Sequence, residues 1–444
     1  MKLSYVRELD EYPTGGRRMR ILTMAVLAVL IGSYEGQIAP VVPLLLKDLH
    51  MSLATYGTVS ALATVAGALA SVLGGRLTDN LGRVRLLIPL MLLTTVCCLV
   101  MTAVHSPTQL MLARIALSVI DGMAMAGTAP LVRDFSPRMG RAQAFGFWTW
   151  GPVGANFLAA AVASATLPLF HDSWRSQFVI MAAISLVVSL VIAFNIADLS
   201  PQLRARIQQT ERQAFTPDGR GTAPRARDLL THRTIWAHVV GIGLWLILYL
   251  TLSLYGPTML AHSFGLGAAK ASGIMSVFWV LNLLTVVVSG RISDRLQLRK
   301  PICVAGTAAA VAITGYLVML MGRQDVSQIH LMLTGALLGG ALGVAYGPWM
   351  ANFSEDAEDI DPRLQGSAWG LFGFVSKGAA VLALFAVPRV VESSSWHTWM
   401  IIAMCCTVLF IPAVLLFHGP WRRTGTEVMP VLAPTASTGT GAAD

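Results

Sequence analysis

Along this chain apolar residues come in blocks of about twenty, separated by short polar or charged segments, without the strict alternation that marks a half-buried strand. Twelve blocks stand out: Ile21–Leu46, Tyr56–Leu73, Leu86–Val104, Gln109–Val132, Ala144–Thr166, Phe178–Ala197, Trp236–Thr258, Ala271–Ser289, Ile302–Met321, Ile329–Ala351, Gln365–Pro388 and Thr398–Phe417. A helix needs roughly 20 apolar residues to cross a bilayer, so each block predicts one transmembrane helix. The expectation is an all-α membrane protein of twelve transmembrane helices. The longest polar stretch, residues 198–235, divides six blocks from six. The predicted organisation is a polar segment 1–20, a six-helix bundle 21–197, a linker 198–235, a second six-helix bundle 236–417 and a tail 418–444. Residues 1–20 are polar and the first apolar run is long enough to span and stay, so no cleavable signal is expected.

Composition narrows the class. Of 444 residues, 55% are hydrophobic and 12% charged, where a soluble chain carries about 25% charged residues. Little length is left for a globular enzyme domain. The net charge of +9 would suit a nucleic-acid ligand, but its placement argues otherwise. With both termini on one side, the segments on that side hold 25 Lys and Arg; the opposite loops hold 5, namely Lys47, Arg175, Lys270, Arg323 and Arg389. Such a bias places both termini in the cytoplasm and makes the excess charge topological. No nucleic-acid partner is implied; the lipid bilayer of the cell inner membrane is. Within the linker, PQLRARIQQTERQAF can form a short basic surface helix, TPDGRGTAPRAR reads as a flexible connector, and the Thr/Ala/Gly-rich tail reads as disordered.

The halves repeat each other. The segment GRLTDNLGRVR, Gly75 to Arg85, recurs 215 residues later as GRISDRLQLRK, Gly290 to Lys300. Ala144, Gly146, Gly154 and Ala155 likewise match Ala368, Gly370, Gly378 and Ala379 at an offset of 224. Parallel six-span repeats are one architecture of secondary transporters. The first copy, carrying Gly75, Leu77, Asp79, Gly82, Arg83 and Arg85 between spans two and three, resembles the signature loop of the major facilitator superfamily, G-x-L-x-D-x-x-G-R-x-R. The second copy keeps Gly290, Asp294, Arg299 and Lys300 but has Gln297 in place of glycine, which predicts a weaker latch there. The resemblance implies two pseudo-symmetric six-helix bundles alternating access around a central cavity. It also implies that the loop locks the linker-side ends of the bundles together when the protein faces outward. Asp79, at a helix end, is placed to accept hydrogen bonds from the start of a neighbouring helix.

Four ionisable residues remain inside spans: Glu35, Arg114, Asp121 and Lys377. A charge at that depth costs kilocalories, so it faces a cavity or a partner. At 1.5 Å rise per residue, Glu35 and Asp121 lie about 16 and 18 Å from the outer ends of spans one and four, level with each other; Arg114 is two turns outward of Asp121. The resemblance implies that Glu35, Arg114 and Asp121 look into the cavity, Arg114 resembling the arginine of the family's span-four motif. Two readings stand for the acids: a static ion pair with Arg114, or one that changes protonation during transport, with Glu35 the first choice over Asp121. Arg114 and Lys377 favour an anionic substrate, and Tyr249 and Tyr346 are candidates for an aromatic wall.

Gly335, Gly339, Gly343 and Gly347 form a ridge on span ten, suited either to sliding or to fixed close packing. Gly151 and Pro152 are reminiscent of the glycine-proline motif of drug antiporters. Cys97, Cys98, Cys303, Cys405 and Cys406 form no CxxC pair, so neither disulfide nor metal site is expected, and no phosphate-binding loop is present. The acidic run Glu355, Asp356, Glu358, Asp359 and Asp361 reads as a solvated loop. The sequence thus predicts no enzyme and no cofactor beyond the proton gradient. It predicts a monomeric secondary transporter moving a small organic solute, an anion or metabolite, by proton symport; the alternative is a proton-antiport drug or metabolite exporter.

Overall fold

The computed structural model describes residues 6–136, 147–148, 150–207, 226–323, 325–361 and 364–422, with the side chains of Asp79, Ala226, Arg227 and Gln365 excepted. Twelve helices long and apolar enough to cross a membrane follow one another among them. They are α1 (Gly15–Glu35), α2 (Leu53–Leu81), α3 (Arg83–Met101), α4 (Pro107–Met125), α5 (Trp150–Thr166) and α6 (Trp174–Asn195), then α7 (Arg233–Phe264), α8 (Ala268–Leu296), α9 (Lys300–Leu320), α10 (Gln328–Ile360), α11 (Gln365–Ser393) and α12 (Trp396–Leu415). Each matches one apolar block of the sequence. The start of the fifth block, Ala144–Gly146, the linker segment 208–225 and the tail beyond 422 lie outside the described residues; residues 201–207 of the linker are helical. The face carrying both ends of the chain and the linker is called the linker face below, and the opposite one the far face.

Punctuation in the sequence sets the helix starts on the far face. Ser52, Ser106, Ser327 and Ser395 each accept a hydrogen bond from the backbone N–H three residues on, capping α2, α4, α10 and α12. Proline and glycine set the breaks. α1 stops at Gly36, and the span resumes through the turn Ala39–Val41 and the short helix Val42–Asp48, where Pro40 and Pro43 cannot donate to a continuous ladder. The fourth span breaks at Gly127 and resumes over Thr128–Asp134. The tenth runs on past Ala351 to Ile360, so most of the acidic run is helical, and Asp356 within it is buried.

The glycine ridge on α10 serves fixed packing within one half. A Cβ at Gly339, Gly343 or Gly347 would collide with the backbone of α8 at Phe278, Asn282 and Val286 respectively. Asn282 Nδ2 donates to the Gly339 carbonyl at 2.9 Å across the same seam. In the first half α2 and α4 repeat the device, Gly67 against Ser118 and Gly122 against Gly67. The turn after α2 needs Gly82 at φ +97°; Gln297 adopts φ +55° after α8, so the second copy keeps a left-handed turn without glycine, at a modest strain.

The two halves are joined toward the far face. Ala54 N–H at the start of α2 donates to Glu392 Oε1 near the end of α11 at 2.8 Å, and Arg389 donates to Thr58 Oγ1 at 3.2 Å. Gly57 lies against the Leu384 carbonyl and Pro388, and Tyr56 meets Tyr255 edge-on at 6.1 Å. At greater depth Ser253 Oγ donates to Asn156 Oδ1 at 3.2 Å. Toward the linker face the picture reverses: Gly75, Gly290, Gly366, Gly370 and Gly373 have nothing within 4 Å of a built Cβ. Gly366, Gly370, Gly373 and Lys377 are spaced to share one face of α11. That face is unpartnered in this conformation, so Gly370→Leu should leave thermal stability unchanged within about 0.5 kcal/mol while lowering transport more than about tenfold, by obstructing closure of the linker side. Melting and uptake measured on the same preparation check this. A large loss of stability would show the face to be already packed.

Candidate functional site

Glu35 ends α1 and is 1% exposed. Its carboxylate accepts from Thr95 Oγ1 of α3 at 2.9 Å, with the hydroxyls of Thr94 and, on α6, Ser185 beside it. The family likeness predicted that Glu35 looks into the central cavity; the structure turns it into the first bundle instead, toward the hydroxyls that α3 and α6 supply. Asp121 on α4 lies one helical turn away along α1, its Oδ1 2.8 Å from the position a Cβ on Gly32 would take. Among the described residues that oxygen is buried without a hydrogen-bond partner. Asp121 is within electrostatic reach of Glu35 on one side and of Lys377, across the boundary between halves, on the other. The equal depth read from helical rise therefore corresponds to real proximity, and the exposed Lys377 turns toward the opening between the halves.

Arg114 has a different neighbourhood from the one the ion-pair reading required. Among the described residues no carboxylate lies within 4 Å of it. Its Nη1 donates instead to the Gly36 carbonyl at 3.3 Å, at the break after α1, where the negative end of the helix dipole is exposed. Its charge also reaches Tyr56 and Tyr255, in the far-face contact between the halves. Arg114 thus stands as a cation beneath the closed far face, with Asp121 and Lys377 two turns further toward the linker face.

The second half supplies an aromatic wall. Tyr249 on α7 and Tyr346 on α10 stack at 6.4 Å between centroids, each against Trp245. The stack continues through Trp349 to Phe353 on α10, while Trp279 of α8 meets Tyr249 edge-on at 5.4 Å. Trp245 and Trp349 are buried, and among the described residues their indole N–H groups have no partner. Tyr249 and Tyr346 are half-buried, and among the described residues their hydroxyls make no hydrogen bond. The two tyrosines singled out in the sequence are therefore the rim of a larger column.

The signature loops hold their own halves in this conformation. Arg83 pairs with Asp134 and reaches the Pro130 carbonyl. Its backbone N–H and that of Val84 are capped by Asp198 Oδ2 at 2.9 and 3.2 Å, and Arg204 joins Asp198 at 2.5 Å. Asp198, not singled out in the sequence, thus caps the start of α3. The Asp79 side chain lies outside the described residues. Arg85 pairs with Glu8 at 2.9 Å, beside the parallel strand pair β1 (Glu8–Leu9) and β2 (Asp198–Leu199). In the other half Arg299 bridges Asp294 at 2.5 Å and Glu355 at 2.8 Å. Gly75 and Gly290 stand open beside them.

Sequence reasoning passed over the far-face contact, because Glu392 and Arg389 read as ordinary loop-side charges. A carboxylate at a helix N-terminus typically stabilises by about 0.3–1 kcal/mol. Glu392→Gln should therefore shift the balance between conformations a few-fold toward opening on the far face, read as faster thiol labelling of a cysteine placed at Thr58. Unchanged labelling would deny Glu392 a part in closure.

Twelve crossing helices in two halves, joined near one face and parted near the other around charges held within the spans, define the architecture of a two-bundle membrane protein. The sequence profile of the Major Facilitator Superfamily matches residues 22–384, and the chain belongs to that family. It is 23% identical to a gallate transporter of Pseudomonas putida over 409 residues, covering 85% of this chain and 88% of that one. It is also 24% identical over 200 residues to the quinolone resistance protein NorA of Staphylococcus aureus, 45% of this chain and 50% of that one. Among solved structures, a D-xylose-proton symporter superposes with a TM-score of 0.70 at 16% identity, covering 92% of this chain and 99% of that one. A bacterial homologue of the human lysosomal transporter Spinster, inward-facing and occupied, gives 0.71 at 13%, covering 91% and 97%. The chain is a multi-pass membrane protein and a secondary transporter of the major-facilitator type.

Proposed function

We propose that the protein is a proton-coupled symporter of a small organic anion, with a planar aromatic carboxylate as the best-fitting cargo. The observation that carries this is the division of labour across the cavity. Arg114 and Lys377 supply positive charge without a carboxylate within 4 Å, among the described residues, while Tyr249 and Tyr346 supply ring faces and free hydroxyls. A carboxylate bound between the cations and a ring laid on the tyrosines would use both. The likeness to a gallate transporter across most of the chain agrees with that chemistry.

Coupling is assigned to Glu35. It is a buried acid with hydroxyls around it and, among the described residues, no cation within 4 Å, so its carboxylate form is costly there. Protonating Glu35 removes one negative charge beside Asp121, leaves Glu35, Asp121, Arg114 and Lys377 together net positive and favours entry of an anion into the cavity. The Lys/Arg distribution supports a cytoplasmic linker face, and in that orientation this conformation is the inward-open one. Arg83, Asp134, Arg299 and Glu355 would exchange partners when the open glycines Gly75 and Gly290 meet the opposite half in the outward-open state. The protein needs no cofactor beyond the proton gradient and is expected to work as a monomer with both termini in the cytoplasm.

The second reading is a proton-antiport exporter of drugs or metabolites, favoured by the NorA likeness over the matched half. Proteoliposomes with an imposed pH gradient separate the two. Symport predicts that gallate and related benzoates accumulate on the alkaline side. Antiport predicts movement of amphiphilic cations toward the acidic side and no response to benzoates.

A further inference from the structure

Outside the cavity, the second half buries a histidine–carboxylate pair. His238, in the second turn of α7, is 0% exposed and Asp356 of α10 is 2% exposed; their Nε2 and Oδ2 lie 2.7 Å apart. The imidazole stacks on Phe417, just after α12, at 3.6 Å between centroids and 14° between planes. His418 closes the pair from outside: its backbone N–H donates to Asp356 Oδ2 at 3.3 Å, and its exposed ring nitrogen lies 3.5 Å from Oδ1. Lys300, at the start of α9, is within electrostatic reach of Asp356 and donates to the Phe417 carbonyl at 2.8 Å. Among the described residues Asp356 and His418 act electrostatically on His238, and Lys300 acts on Asp356. The other imidazole nitrogen, Nδ1, is buried and has no partner among the described residues.

We infer that His238 and Asp356 form a second proton-accepting site, in the half that lacks Glu35, placed to report linker-side pH to the aromatic wall. Nδ1 is the position at which a proton can be added without breaking an existing bond. The imidazolium formed there sits against the Asp356 carboxylate and the face of Phe417, two arrangements that favour a cation. His418 at the rim touches both Asp356 and solvent, so the pair lies close to linker-side water. The consequence runs along rings: His238 meets Phe353 at 5.3 Å and Trp349 at 6.2 Å, and Trp349 stacks on Tyr346. Adding a proton tightens the hold of α7 and the end of α12 on α10, the helix that carries Tyr346. The inference does not depend on which solute is carried.

The test uses the purified full-length protein without substrate. Deuterium exchange at each histidine Cε1–H, resolved by peptide mass spectrometry, reads protonation residue by residue. Measured between about pH 4 and 9, the rate for His238 should follow a sigmoid, and Asp356→Asn should move that sigmoid to lower pH. In parallel, the fluorescence of the neighbouring tryptophans should change across the same pH range in the parent. That change should vanish in His238→Gln, whose amide keeps a donor toward Asp356 but takes no proton. An exchange rate for His238 that does not vary over this range overturns the inference. So does an identical fluorescence titration in His238→Gln. The first measurement needs only the parent, so it decides the matter even where Asp356→Asn fails to fold.

Discussion

Glu35→Gln should abolish gradient-driven accumulation while leaving substrate exchange intact. Glutamine matches the protonated acid in size and neutrality and can still accept from Thr95 Oγ1, so the bundle should fold and bind its cargo. What it lacks is a proton to release. One pH unit is worth about 1.4 kcal/mol, so a parent carrying one proton with each monovalent anion should reach about tenfold accumulation per unit. The variant should reach a ratio of one, with counterflow of preloaded substrate preserved within a few-fold. Uptake of labelled gallate into proteoliposomes, with and without a one-unit gradient, measures both. Undiminished accumulation by Glu35→Gln would shift coupling to Asp121, where Asp121→Asn is the matching experiment.

Lys377→Gln carries the second large effect, because it removes one of the two cations offered to the substrate. With Glu35 and Asp121 ionised, the four charges held within the spans sum to zero; without Lys377 they sum to −1. A charge-assisted hydrogen bond is worth about 1.5–3 kcal/mol, so the KM for an organic anion should rise about 10- to 100-fold. Stability should hardly move, since the Lys377 side chain is exposed and makes no ion pair among the described residues. The same variant divides the two functional readings: a symporter of anions is crippled, whereas an exporter of cations gains affinity. Arg114→Gln should raise the anion KM similarly but also cost stability, because it strips the Gly36 carbonyl of its donor.

These expectations rest on sites that were unequally visible in the chain. Glu35, Arg114, Asp121 and Lys377 were legible because a charge is rare and expensive within an apolar block. Their equal depth followed from helical rise. Their facing did not: Glu35 sits at the break before Gly36, where a small rotation of α1 decides between the cavity and the hydroxyls of α3 and α6. The aromatic wall was half visible, since Tyr249 and Tyr346 were indistinguishable from interfacial anchors until stacking through Trp245 and Trp349 joined them. The His238–Asp356 pair was missed because the two residues are 118 apart in sequence, and because α10 was expected to end before the acidic run. The ridge on α10 was ambiguous between sliding and fixed packing; collision with α8 along its length settled it as packing.

The sequence by itself determined the number of crossings, the division into halves and the few charges left at depth. Each of these follows from transfer free energies that act residue by residue along a helix, and so needs no knowledge of neighbours. The duplicated loops added the family resemblance. Only the tertiary structure decided which buried acid lacks a cation, which faces of α2 and α11 are parted, and which rings form one column. Those depend on helix rotation and on contacts between residues far apart in the chain, where a difference of one-quarter turn exchanges a cavity for a packed core.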